Sequence, residues 1–162
     1  MKLLREIKLL KGNTKGVIFI ICFRLTSFFL KNRTLKVVGY PIMIAYRIIF
    51  PWILGIDVAA KTKIGIGFNV YHGQGLVINS DTLIGENVTV RQNTTIGSAK
   101  SNGKSPVLED RVDVGANAVI IGEIIIGEGS IIAAGSVVVH NVPRNVLVAG
   151  NPAKIIRNLK NE

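Results

Sequence analysis

A histidine that opens a glycine-rich run is the segment of this chain best suited to proton chemistry. His72 stands in Val70-Tyr71-His72-Gly73-Gln74-Gly75, and Asp57 precedes it by fifteen residues. A carboxylate that holds one ring nitrogen of an imidazole leaves the other nitrogen free to accept a proton from a hydroxyl. General-base help of this kind contributes roughly 10² to 10⁴ in rate. Taken alone, however, His72 is better explained as a turn residue that backbone groups satisfy.

The elements that would position these residues follow from an aliphatic residue at every sixth position between about residues 64 and 138. The repeat slips by two residues once and is interrupted at 98–107. Its positions are Ile64, Val70, Leu76, Ile84, Val90, Ile96, Leu108, Val114, Ile120, Ile126, Ile132 and Val138. A period of six is neither helical nor a simple alternation, so it indicates a short strand followed by a corner. The pattern predicts a solenoid with a continuous inward column.

Two further features of the repeat support this interpretation. Residue types that tolerate left-handed backbone often follow the core aliphatic by three positions, or by two in the case of Asp110. They are Asn87, Asn93, Asp110, Asn117, Gly129 and Gly135. The residue just before the core aliphatic is often apolar too, as at Val119, Ile125, Ile131 and Val137. Since strand side chains alternate between faces, these must point outward, which favours a subunit interface.

The repeats resemble those of the hexapeptide acyltransferases over roughly two thirds of the chain. The resemblance implies a mainly β fold, a left-handed parallel β-helix, and a homotrimer. We expect a basic, apolar helical segment at 1–56, the β-helix at 57–142 with a protruding loop at 98–107, and a C-terminal closing segment at 143–162. With about eighteen residues to a coil, Asp57 and His72 would lie on neighbouring coils near one corner.

Within this group the chain is most similar to the serine acetyltransferase branch, whose Asp and His dyad has the same spacing. The resemblance implies that Asp57 and His72 are catalytic, that His72 is the base, and that acetyl-CoA is the donor. The positions that match the cofactor site are Gly97, Ser98, Ala116, Ala134 and Lys154. Ala116 and Ala134 are eighteen residues apart, and small residues stacked in this way let a thin ligand lie against the backbone.

The chain also departs from the serine enzymes. Tyr71 and Ser105 stand where those enzymes carry an aspartate and a histidine that hold the amino acid, and residues 1–56 do not supply their longer helical domain. A site without the pairing charge favours an uncharged acceptor. Candidates for acceptor contacts are Tyr71, Gln74, Arg91, Gln92 and Ser105.

The short basic and apolar N-terminus is similar to that of the colanic-acid and capsular-polysaccharide O-acetyltransferases. That resemblance implies direct transfer of acetyl to a sugar hydroxyl of a capsular or exopolysaccharide precursor, with a glycan or glycolipid acceptor. The alternatives are a serine O-acetyltransferase of cysteine biosynthesis and a non-catalytic β-helix scaffold.

The charge of the chain is concentrated in residues 1–56. This segment holds ten Lys or Arg against Glu6 alone, a net +9 out of +10 for the whole chain. Its apolar runs are broken by Arg24, Lys36 and Arg47, so no membrane span is expected, and no cleavable signal peptide is indicated. Two compatible roles stay open: packing on the β-helix or neighbouring subunits, and contact with an anionic membrane surface. We expect a cytoplasmic protein, in the second case peripheral at the inner face of the membrane.

Several other functions are disfavoured by composition. Cys22 is the single cysteine, so there is no disulfide framework. With only two histidines, the three-histidine zinc site of γ-type carbonic anhydrases cannot be assembled, and no metal is expected. The basic residues alternate with Ile, Leu and Phe and match no nucleic-acid-binding motif, so no nucleic acid is expected as a partner.

Overall fold

The computed structural model describes residues 2–159, so Met1 and the last three residues of the expected closing segment lie outside it. Helices come first: α1 (Lys2–Leu9), α2 (Thr14–Phe29), α3 (Arg33–Val38), α4 (Tyr40–Ile48) and a π-helical turn at Ile49–Ile53. We call residues 2–53 the helical cap. Asn13 and Asn32 begin α2 and α3, because their side-chain oxygens accept hydrogen bonds from backbone N–H groups. No helix of residues 2–159 has both the length and the apolar character needed to cross a bilayer.

Short strands follow and form three sheets around one core. The first sheet holds β1 (Ile56–Val58), β4 (Leu76–Ile78), β7 (Thr95–Gly97), β10 (Val119–Ile121) and β13 (Val137–Val138). The second holds β2 (Lys63–Ile64), β5 (Leu83–Ile84), β8 (Val107–Leu108) and β11 (Ile125–Ile126). The third holds β3 (Asn69–Tyr71), β6 (Thr89–Arg91), β9 (Asp113–Val114), β12 (Ile131–Ile132), β14 (Val146–Gly150) and the antiparallel β15 (Ala153–Asn158).

Successive strands pass from one sheet to the next, which makes the fold a parallel β-solenoid of about five turns. The predicted parallel β-helix is confirmed. We call the bend from the first sheet to the second the first corner, and the bend from the third sheet to the first sheet of the next coil the third corner.

The register shows that the coils differ in length. Ile56 pairs with Leu76, so the first coil takes twenty residues and not the eighteen expected. Thr89 pairs with Asp113 because the loop after β7 adds six residues to that coil. Asp113 pairs with Ile131, which gives the expected eighteen.

The inward column of the repeat is confirmed as the core. All of its positions are buried except Ile64, which is partly buried and packs against the rest. The positions just before it point outward as predicted, and Ile125 is the most exposed of them. At the corners, Asn87, Asn93 and Asn117 have positive φ. The prediction for Asp110 is wrong by one residue: Arg111 has the positive φ, and the Asp110 carboxylate instead accepts a hydrogen bond from the Glu86 N–H.

The helical cap covers the first coil, whose strands β1, β2 and β3 lie at the edges of the three sheets. The Arg24 guanidinium donates to the Ile64 carbonyl at 2.8 Å and to the Gly65 carbonyl. It also pairs with Glu6, which is 2% exposed, at 2.8 Å. Glu6 in turn accepts a hydrogen bond from the Gly67 N–H at 3.0 Å. This buried ion pair therefore supplies partners for edge groups that would otherwise be unsatisfied.

Three more cap side chains bind carbonyls of the first coil. Tyr46 donates to Val58 at 2.8 Å, Ser27 to Ala60 at 2.7 Å and Asn13 to Val70 at 2.8 Å. Phe19 joins the two parts of the core, since its ring lies 6.3 Å from that of Phe68 in the solenoid and 5.6 Å from that of Phe50 in the cap.

Candidate active site

His72 lies at the third corner of the first coil, directly after β3. Its φ is +67°, and the Gly73 N–H donates to the Tyr71 carbonyl at 2.9 Å. A hydrogen bond that spans three residues around a positive φ is the rare and strained form of the γ-turn. The other residues with positive φ in the described chain, glycine aside, are asparagines and Arg111. An exposed imidazole held in such a turn favours a functional role, because strained backbone concentrates at functional sites.

Gly73 fixes this turn against the first strand. Its φ is +81°, and a Cβ added there would lie 2.8 Å from Cδ1 of Ile56. The backbone next to His72 therefore lies against the neighbour of Asp57.

Asp57 lies in the middle of β1 with its side chain directed outward, between the buried Ile56 and Val58. Asp57 pairs with Val77 of β4, and His72 lies at the corner that leads from β3 into β4. Among the hydrogen bonds and ion pairs of residues 2–159, none joins the two side chains, and the dyad stays a prediction.

The carboxylate of Asp57 lines a cavity of about 550 Å³ against the helical cap. Tyr46 lines the same cavity. Burial raises the pKa of the Tyr46 hydroxyl, and the charges of Cys22 and Asp57 add to the shift.

The third corners of successive coils stack into one column that begins at His72. Backbone hydrogen bonds run from Asn93 N–H to Gln74 at 2.8 Å and from Asn117 N–H to Gln92 at 3.0 Å. The next runs from Gly135 N–H to the Ala116 carbonyl at 2.8 Å.

Ala116 and Ala134, two positions expected to hold the cofactor, therefore lie on the same edge of the solenoid as His72. Lys154 pairs with Ala149 in the β14–β15 hairpin, at the far end of this edge.

Gly97 and Ser98 lie elsewhere, at the first corner of the third coil. Ser105 also lies away from His72 within one chain. It lines a cavity of about 680 Å³ between the loop and the second sheet, together with Lys104 and Glu123, and its buried hydroxyl has no hydrogen-bond partner in the structure.

The remaining acceptor candidates lie close to the His72 turn. The Arg91 guanidinium lies 5.8 Å from the centre of the Tyr71 ring and forms an ion pair with Asp113. Oε1 of Gln92 is buried at the third corner of the next coil and has no hydrogen-bond partner among residues 2–159.

Asp113 was not among the predicted site residues. It follows Arg91 by twenty-two residues, and only the coil lengthened by the loop brings the two together.

Comparison with known proteins finds the same repeats and fold in acetyltransferases. The colanic acid biosynthesis acetyltransferase WcaB of Escherichia coli K12 is 36% identical over 116 residues, which cover 71% of this chain and 72% of WcaB. The serine acetyltransferase of Bacillus subtilis is 41% identical over 104 residues, or 63% of this chain and 48% of that enzyme. A crystal structure of serine acetyltransferase from Brucella abortus with coenzyme A superposes with a TM-score of 0.82. It has 30% identity and covers 99% of this chain and 68% of its own. No protein-family model matches the chain.

The chain belongs to the hexapeptide-repeat acetyltransferases. The predicted family and enzyme class are confirmed. Members of the family use acetyl-CoA, and a trimer is typical of them. The chain spans about half the length of the Bacillus serine acetyltransferase that it matches. Within residues 2–159, no three His, Cys, Asp or Glu side chains are grouped as metal ligands would be.

Proposed function

We propose that this protein transfers acetyl from acetyl-CoA to a sugar hydroxyl of a capsular or exopolysaccharide precursor. The observation that carries the proposal is the strained turn that exposes His72 at the head of the column containing Ala116 and Ala134. The likeness to WcaB, a protein named for colanic acid biosynthesis, supports the sugar acceptor.

In the proposed reaction, a ring nitrogen of His72 takes the proton of the acceptor hydroxyl as the oxygen attacks the thioester carbonyl. The tetrahedral intermediate collapses with cleavage of the C–S bond. The imidazolium then returns the proton to the departing thiolate, which leaves the acetylated sugar and CoA. No covalent enzyme intermediate is formed. Asp57 would orient the imidazole, and a backbone N–H near Gly97 or Ser98 of a neighbouring subunit, in the trimer proposed below, would stabilise the oxyanion.

The pantetheine arm would lie along the third-corner column, where Ala116 and Ala134 leave room beside the backbone. Lys154 is exposed at the end of that column, where its charge would meet the phosphates of CoA.

Next to His72, the proposed acceptor side of the site is formed by a neutral aromatic side chain. Tyr71 is exposed beside His72 and is backed by Arg91, whose charge is already paired with Asp113. An aromatic ring with a polar hydroxyl can pack against the face of a sugar, and at this position the chain has no carboxylate to pair with a free amino group. Gln74 and Gln92 would supply hydrogen bonds from the same corner.

We also propose a homotrimer, in which the loop with Ser105 reaches a neighbouring subunit. On the second sheet Leu83, Val107 and Ile125 align in register and form an outward aliphatic ridge. A sedimentation mass of one subunit would overturn this assembly. The proposed location is the cytoplasm, with residues 1–56 against the inner face of the membrane.

The test is thiol release from acetyl-CoA with a panel of glycan and glycolipid acceptors. His72→Asn keeps a residue type that tolerates positive φ and removes the base, so we expect the rate to fall roughly 10²- to 10⁴-fold. His140→Asn is the matched control, since His140 is exposed after β13, away from the third corner. A His72→Asn variant that folds and keeps full activity would show that the base is assigned wrongly.

Free serine forms a separate arm of the same assay, because serine acetyltransferases share the fold and up to 41% identity with this chain. Turnover with serine and with no glycan would replace the sugar proposal with the serine enzyme. The absence of turnover with every acceptor would favour a scaffold.

A further inference from the structure

The helical cap carries a large apolar surface that no part of residues 2–159 covers. The exposed side chains are Val37, Val38, Tyr40, Ile44, Ile48, Ile49, Trp52 and Ile53, which we call the docking face. Trp52 is 85% exposed and Val37 is 72% exposed. Tyr40, Ile44 and Ile48 recur every four residues and therefore share one side of α4. Exposed apolar side chains in such number on one helical segment mark an interaction site.

The exposed charged side chains of the helical cap have one sign. Glu6 is the single acidic residue of residues 1–56, and it is buried against Arg24. The exposed cations of the described cap are Arg5, Lys8, Lys11, Lys15, Lys31, Arg33, Lys36 and Arg47. The exposed part of the cap is therefore purely cationic, and its complement is an anionic surface.

We propose that the docking face inserts into the interfacial region of an anionic lipid bilayer. A tryptophan and a tyrosine among aliphatic side chains, flanked by Lys and Arg, match the requirements of that region. A second copy of the chain fits this surface poorly, because its own cap carries the same positive charge and the two would repel each other.

The docking face lies at the end of the solenoid that contains the candidate active site. The π-helical turn with Trp52 leads directly into β1 and Asp57, and Asn13 of the cap binds Asn69 and Val70 just before His72. Docking would thus bring the first coil close to the lipid surface. A consequence of this placement, which rests on the proposed function, is that the sugar acceptor is carried on a lipid.

Trp52 is the only tryptophan of the chain, so its fluorescence reports directly on the docking face. We expect its emission to shift to shorter wavelength, and the protein to sediment, with vesicles of phosphatidylcholine and phosphatidylglycerol. Pure phosphatidylcholine should bind less, and added salt should weaken binding. The vesicles contain no acceptor and no acetyl-CoA, so the result is independent of whether the protein acetylates sugars.

Variants test which residues bind. Lys36→Gln with Arg47→Gln should lower partitioning into anionic vesicles about 30-fold, at roughly fivefold per cation removed. Ile53→Ser should lower it further and leaves Trp52 in place as the probe. The matched control is Ile156→Ser with Arg157→Gln, an exposed apolar and basic pair on β15 at the opposite end of the solenoid, and it should bind like wild type.

Three results would overturn the proposal. The first is a Trp52 emission unchanged by anionic vesicles. The second is an emission that shifts with protein concentration in the absence of lipid, together with a matching rise in mass, which would assign the docking face to a second copy. The third is a control variant that weakens vesicle binding as strongly as the cap variants do, which would show unspecific attraction to the basic chain.

Discussion

Replacing Arg24 with Met tests whether the helical cap is held by its buried ion pair. The variant keeps an apolar side chain of similar length but leaves Glu6 without its cation and the Ile64 and Gly65 carbonyls without their donor. Removing one partner of a buried pair typically costs about 3–5 kcal/mol, because the remaining charge is desolvated and uncompensated. For a chain of this size, about 1 kcal/mol shifts Tm by roughly 2–4 °C, so we expect a loss of about 6–20 °C.

The measurement is thermal unfolding followed by circular dichroism at one fixed protein concentration, since association would otherwise change the apparent stability. Arg144→Met is the control, because Arg144 is 63% exposed and pairs with Glu109 on the surface. That exposed pair is screened by solvent, so its removal should change Tm far less.

A double variant, Glu6→Gln with Arg24→Met, separates the ion pair from general packing. With neither charge present, the penalty of the isolated carboxylate disappears, and the double variant should lose less stability than the sum of the two single changes. An Arg24→Met protein that melts within about 2 °C of wild type, or strictly additive losses in the cycle, would refute the role given to this pair.

Three further predictions concern single side chains. Tyr46→Phe should cost about 1–2 kcal/mol at neutral pH by removing the bond to Val58. The pKa of Tyr46 is raised in the folded state, so the stability that its hydroxyl contributes is complete below the unfolded pKa near 10 and declines at higher pH. The difference in melting temperature between wild type and variant should therefore narrow in alkaline melts. Gly73→Ala should lower activity together with stability, since the new Cβ would press on Ile56 beside the base; unchanged rates would separate this turn from catalysis. Burial raises the pKa of the Cys22 thiol, so it should react with a disulfide reagent more slowly than a free thiol does, and equal rates would contradict this.

Most of the solenoid was predictable because its signal is periodic. Each core aliphatic predicts a buried position from a local pattern alone, and only Ile64 falls short, being partly buried. At the corners the spacing predicts better than the residue type: positive φ falls on Arg111, three positions after Leu108, although Asp110 is the type that tolerates it more readily.

The candidate site was predictable in its residues but less so in its arrangement. His72 and Asp57 stand out by type and spacing, and the two-residue slip of the aliphatic repeat matches the twenty-residue first coil, in which Ile64 pairs with Ile84. The spacing does not set the direction of the two side chains, however, and so could not show whether they meet. Likewise, the contact of Arg91 with Asp113 depends on the loop that lengthens its coil. The contacts of the helical cap could not be predicted from the sequence either. The hydrogen bond from Arg24 to the first coil spans forty residues, and no sequence repeat indicates it.

The closed ends of the solenoid have a consequence for how copies of the chain associate. Stacked coils are a periodic lattice, and a bare terminal coil would offer its unpaired strands as a template to the terminal coil of another molecule. At one end, the side chains of Arg24, Tyr46 and Asn13 donate hydrogen bonds to backbone carbonyls of the terminal coil. At the other end β15 pairs antiparallel with β14, which covers the edge of the third sheet and presents Lys154 and Arg157 to solvent. The helical cap and β15 therefore act as terminators of polymerisation, and a molecule stripped of its helices should elongate into filaments.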